Sequence, residues 1–155
     1  MSLLDSLKPR VIEVQIDDAY GLDVKVSVAT LSWARWNDIG LSVSEPEAPL
    51  KMVMEAGKKT YKPATDSPEF RAAQIEAANE RTYRRLAVAL QGGGSLPELA
   101  HAPMDEAVKI VKELDSGVLN ALSNLLQQVA YGSKARLESR ATTFLGLPAI
   151  EGEGA

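Results

Sequence analysis

A single histidine, a run of three glycines, adjacent carboxylates and a set of closely spaced arginines are the residues of this chain with the potential for chemistry. His101 lies between Ala100 and Ala102-Pro103 in a stretch that separates two helical patterns. A general base or a metal site needs partners of matched type, and no set of thiol or carboxylate ligands accompanies it. A helix-end or surface histidine is the reading that follows. Gly92-Gly93-Gly94-Ser95 superficially resembles a phosphate-binding loop. Such a loop follows a strand and, in the P-loop, carries Lys-Ser/Thr after the glycines. Here a helical pattern precedes the glycines and Leu96-Pro97 follows Ser95, so a flexible break or hinge is expected instead. The carboxylate pairs Asp17-Asp18 and Asp105-Glu106 sit at a turn and at a helix start, where solvation and capping account for them. Catalytic carboxylates need environments that split their pKa values, and neither pair suggests one. These readings lead to binding rather than catalysis, with no cofactor and no metal.

The arginines Arg81, Arg84 and Arg85 share one helix face at spacings of three and four. With Lys58, Lys59 and Lys62 they are the nearest approach to a basic patch, although Glu76 and Glu80 are placed to pair with some of them. The formal net charge of -4 speaks against a general nucleic-acid binder. A solvated or protein-facing surface is the better reading.

The elements that must position these residues follow from hydrophobic spacing. Ile12, Val14 and Ile16 alternate with polar residues, and Leu22, Val24, Val26 and Val28 do the same. Joined by Asp18-Ala19-Tyr20-Gly21, the two runs predict an antiparallel hairpin with one apolar face. Ser32 as a cap and Gly40 as a stop bracket a short helix, whose Trp33 and Trp36 share a face, with at least one covering an end of the hairpin. Leu50 to Glu55 and Lys59 to Lys62 flank Ala56-Gly57-Lys58 and suggest a second, weaker hairpin, with a mobile arm as the competing reading. Asp66-Ser67-Pro68-Glu69 is a helix start, and the helix should run to about Leu90 on a stripe of Ile75, Ala78, Thr82, Leu86 and Ala89. Further helices are expected over 104–114, 118–131 and 134–145, the last ending at Gly146, with a disordered tail from Pro148.

The expected fold class is α+β: an N-terminal antiparallel β-hairpin or small sheet followed by four to five α-helices. The organisation reads as residues 1–66 (hairpin, Trp helix and irregular arm), 67–146 (helices with a Gly-rich hinge at 92–94) and 147–155 (tail). With 155 residues, 45% of them hydrophobic, a core can form without disulfides or metal, and the chain has no cysteine. The start, MSLLDSLKPR, lacks the apolar run of a signal peptide, and no stretch approaches the roughly 20 apolar residues of a membrane span.

The succession of hairpin, Trp-bearing helix (Val24 to Gly40), irregular middle, Asp-Ser-Pro-Glu-Phe-Arg-Ala-Ala over 66–73, an Arg-rich helix ending Leu-Ala-Val-Ala-Leu, then Met104-Asp-Glu-Ala-Val and Leu-Asp-Ser-Gly-Val-Leu-Asn-Ala-Leu over 114–122 resembles the tail assembly chaperones of long-tailed bacteriophages and prophages. The resemblance spans roughly residues 10 to 131 and rests on element order. It implies a protein of the host bacterial cytoplasm that binds the tape-measure protein and recruits tail-tube subunits (the major tail protein). A longer frameshifted form, made in many such phages, is a further implication for the gene. Candidate protein-binding residues are Met52, Val53 and Met54, whose soft side chains suit varied apolar partners, the arginines Arg81, Arg84 and Arg85, and the stripe Leu119, Leu122, Leu126 and Val129, for partner or self-association. The alternatives are another small phage structural or connector protein, and a regulatory nucleic-acid-binding protein using the Arg81 to Arg85 face.

Overall fold

The structure, a computed structural model, describes residues 2–17 and 23–131. The period-two runs form strands β1 (Val11–Asp17) and β2 (Asp23–Ala29), paired antiparallel. The register sets Ile12 opposite Val28, Val14 opposite Val26 and Ile16 opposite Val24, so all six side chains stand on one face. The turn expected over 18–21 lies outside the described residues. Helix α2 (Trp33–Leu41) begins where Ser32 accepts the Arg35 amide hydrogen bond, as its sequence position requires. Of its two tryptophans, Trp36 enters the central core, whereas Trp33 is exposed.

The weaker pattern also forms a hairpin, from β3 (Leu50–Glu55) and β4 (Lys58–Pro63). Ala56 and Gly57 both have positive φ, 50° and 77°, the geometry of a two-residue primed turn whose twist matches that of the strands. The architecture is therefore α+β: two separate two-stranded antiparallel sheets and five helices among the described residues. A short helix, α1 (Leu3–Leu7), has no counterpart in the sequence reading. Ser2 and Asp5 close a capping box at its start, a signal present in the residues but attached to only five helical positions.

Helix α3 (Pro68–Gly93) organises the body. Ser67 caps it and Pro68 opens it, as expected, but it runs past Leu90 to Gly93. Leu86, Ala87, Ala89 and Leu90 have at most 1% of their surface exposed, a helix segment covered on nearly every side. One cluster joins them to Ile16, Val26 and Val28 of the first hairpin, to Trp36, to Ala107, Val108 and Val111 of α4 (Met104–Lys112), and to Leu122 and Leu126 of α5 (Ser116–Tyr131). The N-terminal half of α3 differs from expectation: Ile75 and Ala78 are exposed. A 26-residue helix is about 39 Å long, and only its C-terminal half lies against the sheet and α4. Glu80 receives both Arg84 of its own helix and Lys112 of α4, at 3.3 and 3.4 Å, and so joins the two helices on their exposed side.

The glycines at 92–94 are not a hinge. Gly92 and Gly93 complete α3, and only Gly94, at φ 75°, leaves it in the left-handed conformation that terminates helices. A Cβ on Gly93 would stand 1.8 Å from the Ser27 carbonyl oxygen, and one on Gly92 would stand 2.6 Å from the Ala29 Cβ. These residues are small because the end of the helix lies directly on β2. The following segment is fastened as well. The Ser27 amide donates to Ser95 Oγ at 2.9 Å, and the Gln91 side-chain amide donates to the carbonyls of Leu99 and Ala102. A 3₁₀ turn at Pro97–Leu99 buries Leu99 completely. The helix expected over 134–145 and the tail from Pro148 lie outside the described residues.

A hinge and a contact respond oppositely to a methyl group. Gly93→Ala should destabilise the protein by about 2–3 kcal/mol through overpacking. A flexible glycine exchanged for alanine would instead be neutral or stabilise by roughly 0.4–1 kcal/mol. Urea unfolding of the two proteins reads the sign directly.

Candidate functional site

The three arginines of α3 face inward across the chain, not outward. Arg81 Nε donates to the Gly40 carbonyl at 3.2 Å and its guanidinium pairs with Glu45. Arg84 donates to Ser42 Oγ at 3.0 Å and pairs with Glu80. Arg85 reaches the Trp36 carbonyl through two nitrogens and lies 4.1 Å above the centre of the Trp36 ring. Helix α2 has no basic residue in its own last turn. The Asp38 and Ile39 carbonyls accept from Ser42, and α3 adds Arg81 at the Gly40 carbonyl, a cation at the negative end of the helix dipole. The absence of a side chain at Gly40 leaves room for this, since a Cβ there would meet the Arg85 guanidinium at 2.5 Å. The spacing of three and four was legible as a helix face; its use as a clamp on α2 was not.

The stripe on α5 divides. Leu122 and Leu126 are 1% and 5% exposed and belong to the central cluster, and Leu119 packs half-buried beside them. Val129 is 44% exposed and is not part of that cluster. Leu122 and Leu126 are thus occupied within the chain, which corrects their assignment to a partner surface. A core stripe and a docking stripe have the same spacing, and only the position of α3 tells them apart.

Met52, Val53 and Met54 lie in β3, not in a loop. The register pairs Leu50 with Pro63, Met52 with Tyr61 and Met54 with Lys59, so these six residues share one face. Val53 and Thr60 lie on the opposite face, where Glu55 and Lys62 form an ion pair diagonally across them. The sequence reading missed Leu50, Tyr61 and Pro63 as members of a face because the apolar residues looked irregular along one strand. They alternate cleanly only when both strands are aligned.

The hairpin is fastened at its base. The Ala64 amide donates to the Pro49 carbonyl at 2.6 Å, and Lys51 reaches Asp66 at 3.3 Å, just before α3 begins. The Asp66 carboxyl is held below its ordinary range, first by its own backbone amide and then by Lys51. A depressed acid of this kind contributes at neutral pH, above its unfolded pKa, and the contribution disappears as pH falls through the lowered value.

A shallow groove of about 350 Å³ runs beside α3 and α4, lined by Ile75, Glu76, Asn79, Tyr83 and Lys112 among others. Among the described residues no group of acidic or histidine side chains is arranged to hold a metal ion, and no helix is long and apolar enough to cross a membrane. His101 is exposed in a turn between the 3₁₀ segment and α4.

Two measurements check these placements. Leu122→Ala should cost about 2–5 kcal/mol in chemical denaturation, whereas Val129→Ala should stay within about 0.5 kcal/mol. In an NMR titration Asp66 should protonate below a usual aspartate, and Lys51→Met should move its midpoint upward without restoring it fully, since the backbone amide remains. Comparison with family models, with curated proteins and with solved structures finds no match to this chain.

Proposed function

We propose that the chain is a tail assembly chaperone of a long-tailed bacteriophage or prophage, which binds the tape-measure protein and brings tail-tube subunits to it without chemical catalysis. The observation that carries the reading is the order of elements over residues 10 to 131. The first hairpin, the Trp-bearing helix, the Ser67-Pro68 helix start and the two later helices follow one another in that order, with the β3–β4 hairpin in the stretch between α2 and α3.

The physical requirement of that role is a surface that covers apolar helical seams reversibly. A long helical protein with an exposed seam aggregates unless the seam is masked. Masking by an amphipathic groove or face needs apolar side chains held in solvent on a stable body. The apolar face of β3 and β4, anchored to the body at Pro49, Ala64 and Asp66, supports this reading. The arginine clamp argues against the nucleic-acid alternative, because Arg81, Arg84 and Arg85 are engaged by α2 and by carboxylates.

Co-expression with the tape-measure protein of a genome encoding this chain is the test. The soluble fraction of the tape-measure protein should rise severalfold, and the two should co-purify. No gain in solubility, with both proteins well expressed, would overturn the proposal.

A further inference from the structure

We infer that the β3–β4 hairpin is a docking platform for an amphipathic helix whose apolar stripe is bordered by carboxylates. Three observations lead there. First, the face is apolar and open: Leu50, Met52, Met54 and Tyr61 are each between 53% and 69% exposed. Second, the hairpin is chemically two-sided. Its other face is covered by the Lys62–Glu55 ion pair over Val53 and Thr60, so the apolar side chains are sorted onto one side rather than scattered. Third, its charge is opposite to that of the chain. Residues 50–63 carry Lys51, Lys58, Lys59 and Lys62 against Glu55 alone, whereas the whole chain is at -4. Lys51 and Lys62 are paired with Asp66 and Glu55. Lys59, at the tip, forms no ion pair among the described residues and shares the apolar face beside Met54, whereas Lys58 stands opposite Glu55 on the other face.

The dimensions select a helix. Alternate residues on a strand stand about 7 Å apart, so Leu50 to Met54 covers about 13 Å. A helix presents apolar residues every 5–6 Å along one stripe, and about nine residues span the same length. Its diameter of about 10 Å bridges two strands roughly 5 Å apart. An acidic border on that helix would meet Lys59 at the tip, where it stands opposite Met54. Methionines suit such a surface, since their flexible thioethers fit varied apolar side chains.

The inference sharpens the proposed function by naming a surface, and it rests on that reading only in taking the partner to be a protein helix. Its test uses the full chain with defined peptides, so it fails or succeeds apart from the tape-measure experiment. Two fluorescent 18-residue helical peptides are compared, with the same leucine stripe bordered by glutamates in one and by lysines in the other. The glutamate peptide should bind more tightly in anisotropy titrations, increasingly so at low salt. Met52→Asp should weaken it roughly tenfold or more with the thermal unfolding midpoint nearly unchanged. Lys59→Glu should reverse the preference between the two peptides, a readout that damage to the fold would not produce. Equal binding of the two peptides, or binding of the glutamate peptide that neither variant alters, overturns the inference. So does sedimentation showing that the face is occupied by a second copy of the chain, with a dimer that Met52→Asp dissociates and no peptide bound.

Discussion

The last turns of α3 are approached from several sides at once, and the rest of the fold depends on that. Leu86, Ala87, Ala89 and Leu90 meet the first hairpin on one side and α4 and α5 on another. Alternating large and small side chains allow this, since the alanines admit neighbouring backbones while the leucines fill the space between them. The limit of the approach is reached at Gly93, where the helix backbone lies against the Ser27 carbonyl with no room for a methyl group. A two-stranded sheet is marginal in water by itself. Here its apolar face is completed by a helix that begins some forty residues later.

The same helix also solves a polar problem. Helix α2 ends with carbonyls that its own sequence does not cap with a basic residue. Ser42 donates to the Asp38 and Ile39 carbonyls, Arg81 of α3 to that of Gly40, and Arg84 and Arg85 reach the Ser42 hydroxyl and the Trp36 carbonyl, with Arg85 also over the Trp36 ring. Hydrogen bonds from charged donors are worth about 1.5–3 kcal/mol when partly shielded from water, more than exposed ion pairs such as those of the second hairpin. The arginine face thus fixes α2 on α3, and with it the tryptophan that closes one end of the core.

The second hairpin obeys a different logic. It adds no residue to the central cluster, and its tethers are at its base. Ala56 adopts a positive φ to make its turn, a conformation that costs a non-glycine residue roughly 1 kcal/mol. The segment keeps this turn while its apolar face, Leu50, Met52, Met54 and Tyr61, stays exposed to solvent.

Much of this was determined by the sequence alone. Strict alternation in β1 and β2, the Ser32 and Ser67 caps and the 3.6-residue stripes of α4 and α5 are local properties, and each produced its element close to the expected residues. The class α+β followed from them. What local spacing does not contain is which surfaces meet. The glycines at 92–94 read as a linker because glycine permits both flexibility and close approach, and only the position of β2 decided between them. The arginines read as an exposed patch because their partners, Gly40, Ser42 and Trp36, stand some forty or more residues away. The stripe of Leu119, Leu122, Leu126 and Val129 read as one surface, and packing against the central cluster divided it. The apolar face of the second hairpin became visible only when two strands were set in register, because a face is a property of paired strands and not of either one.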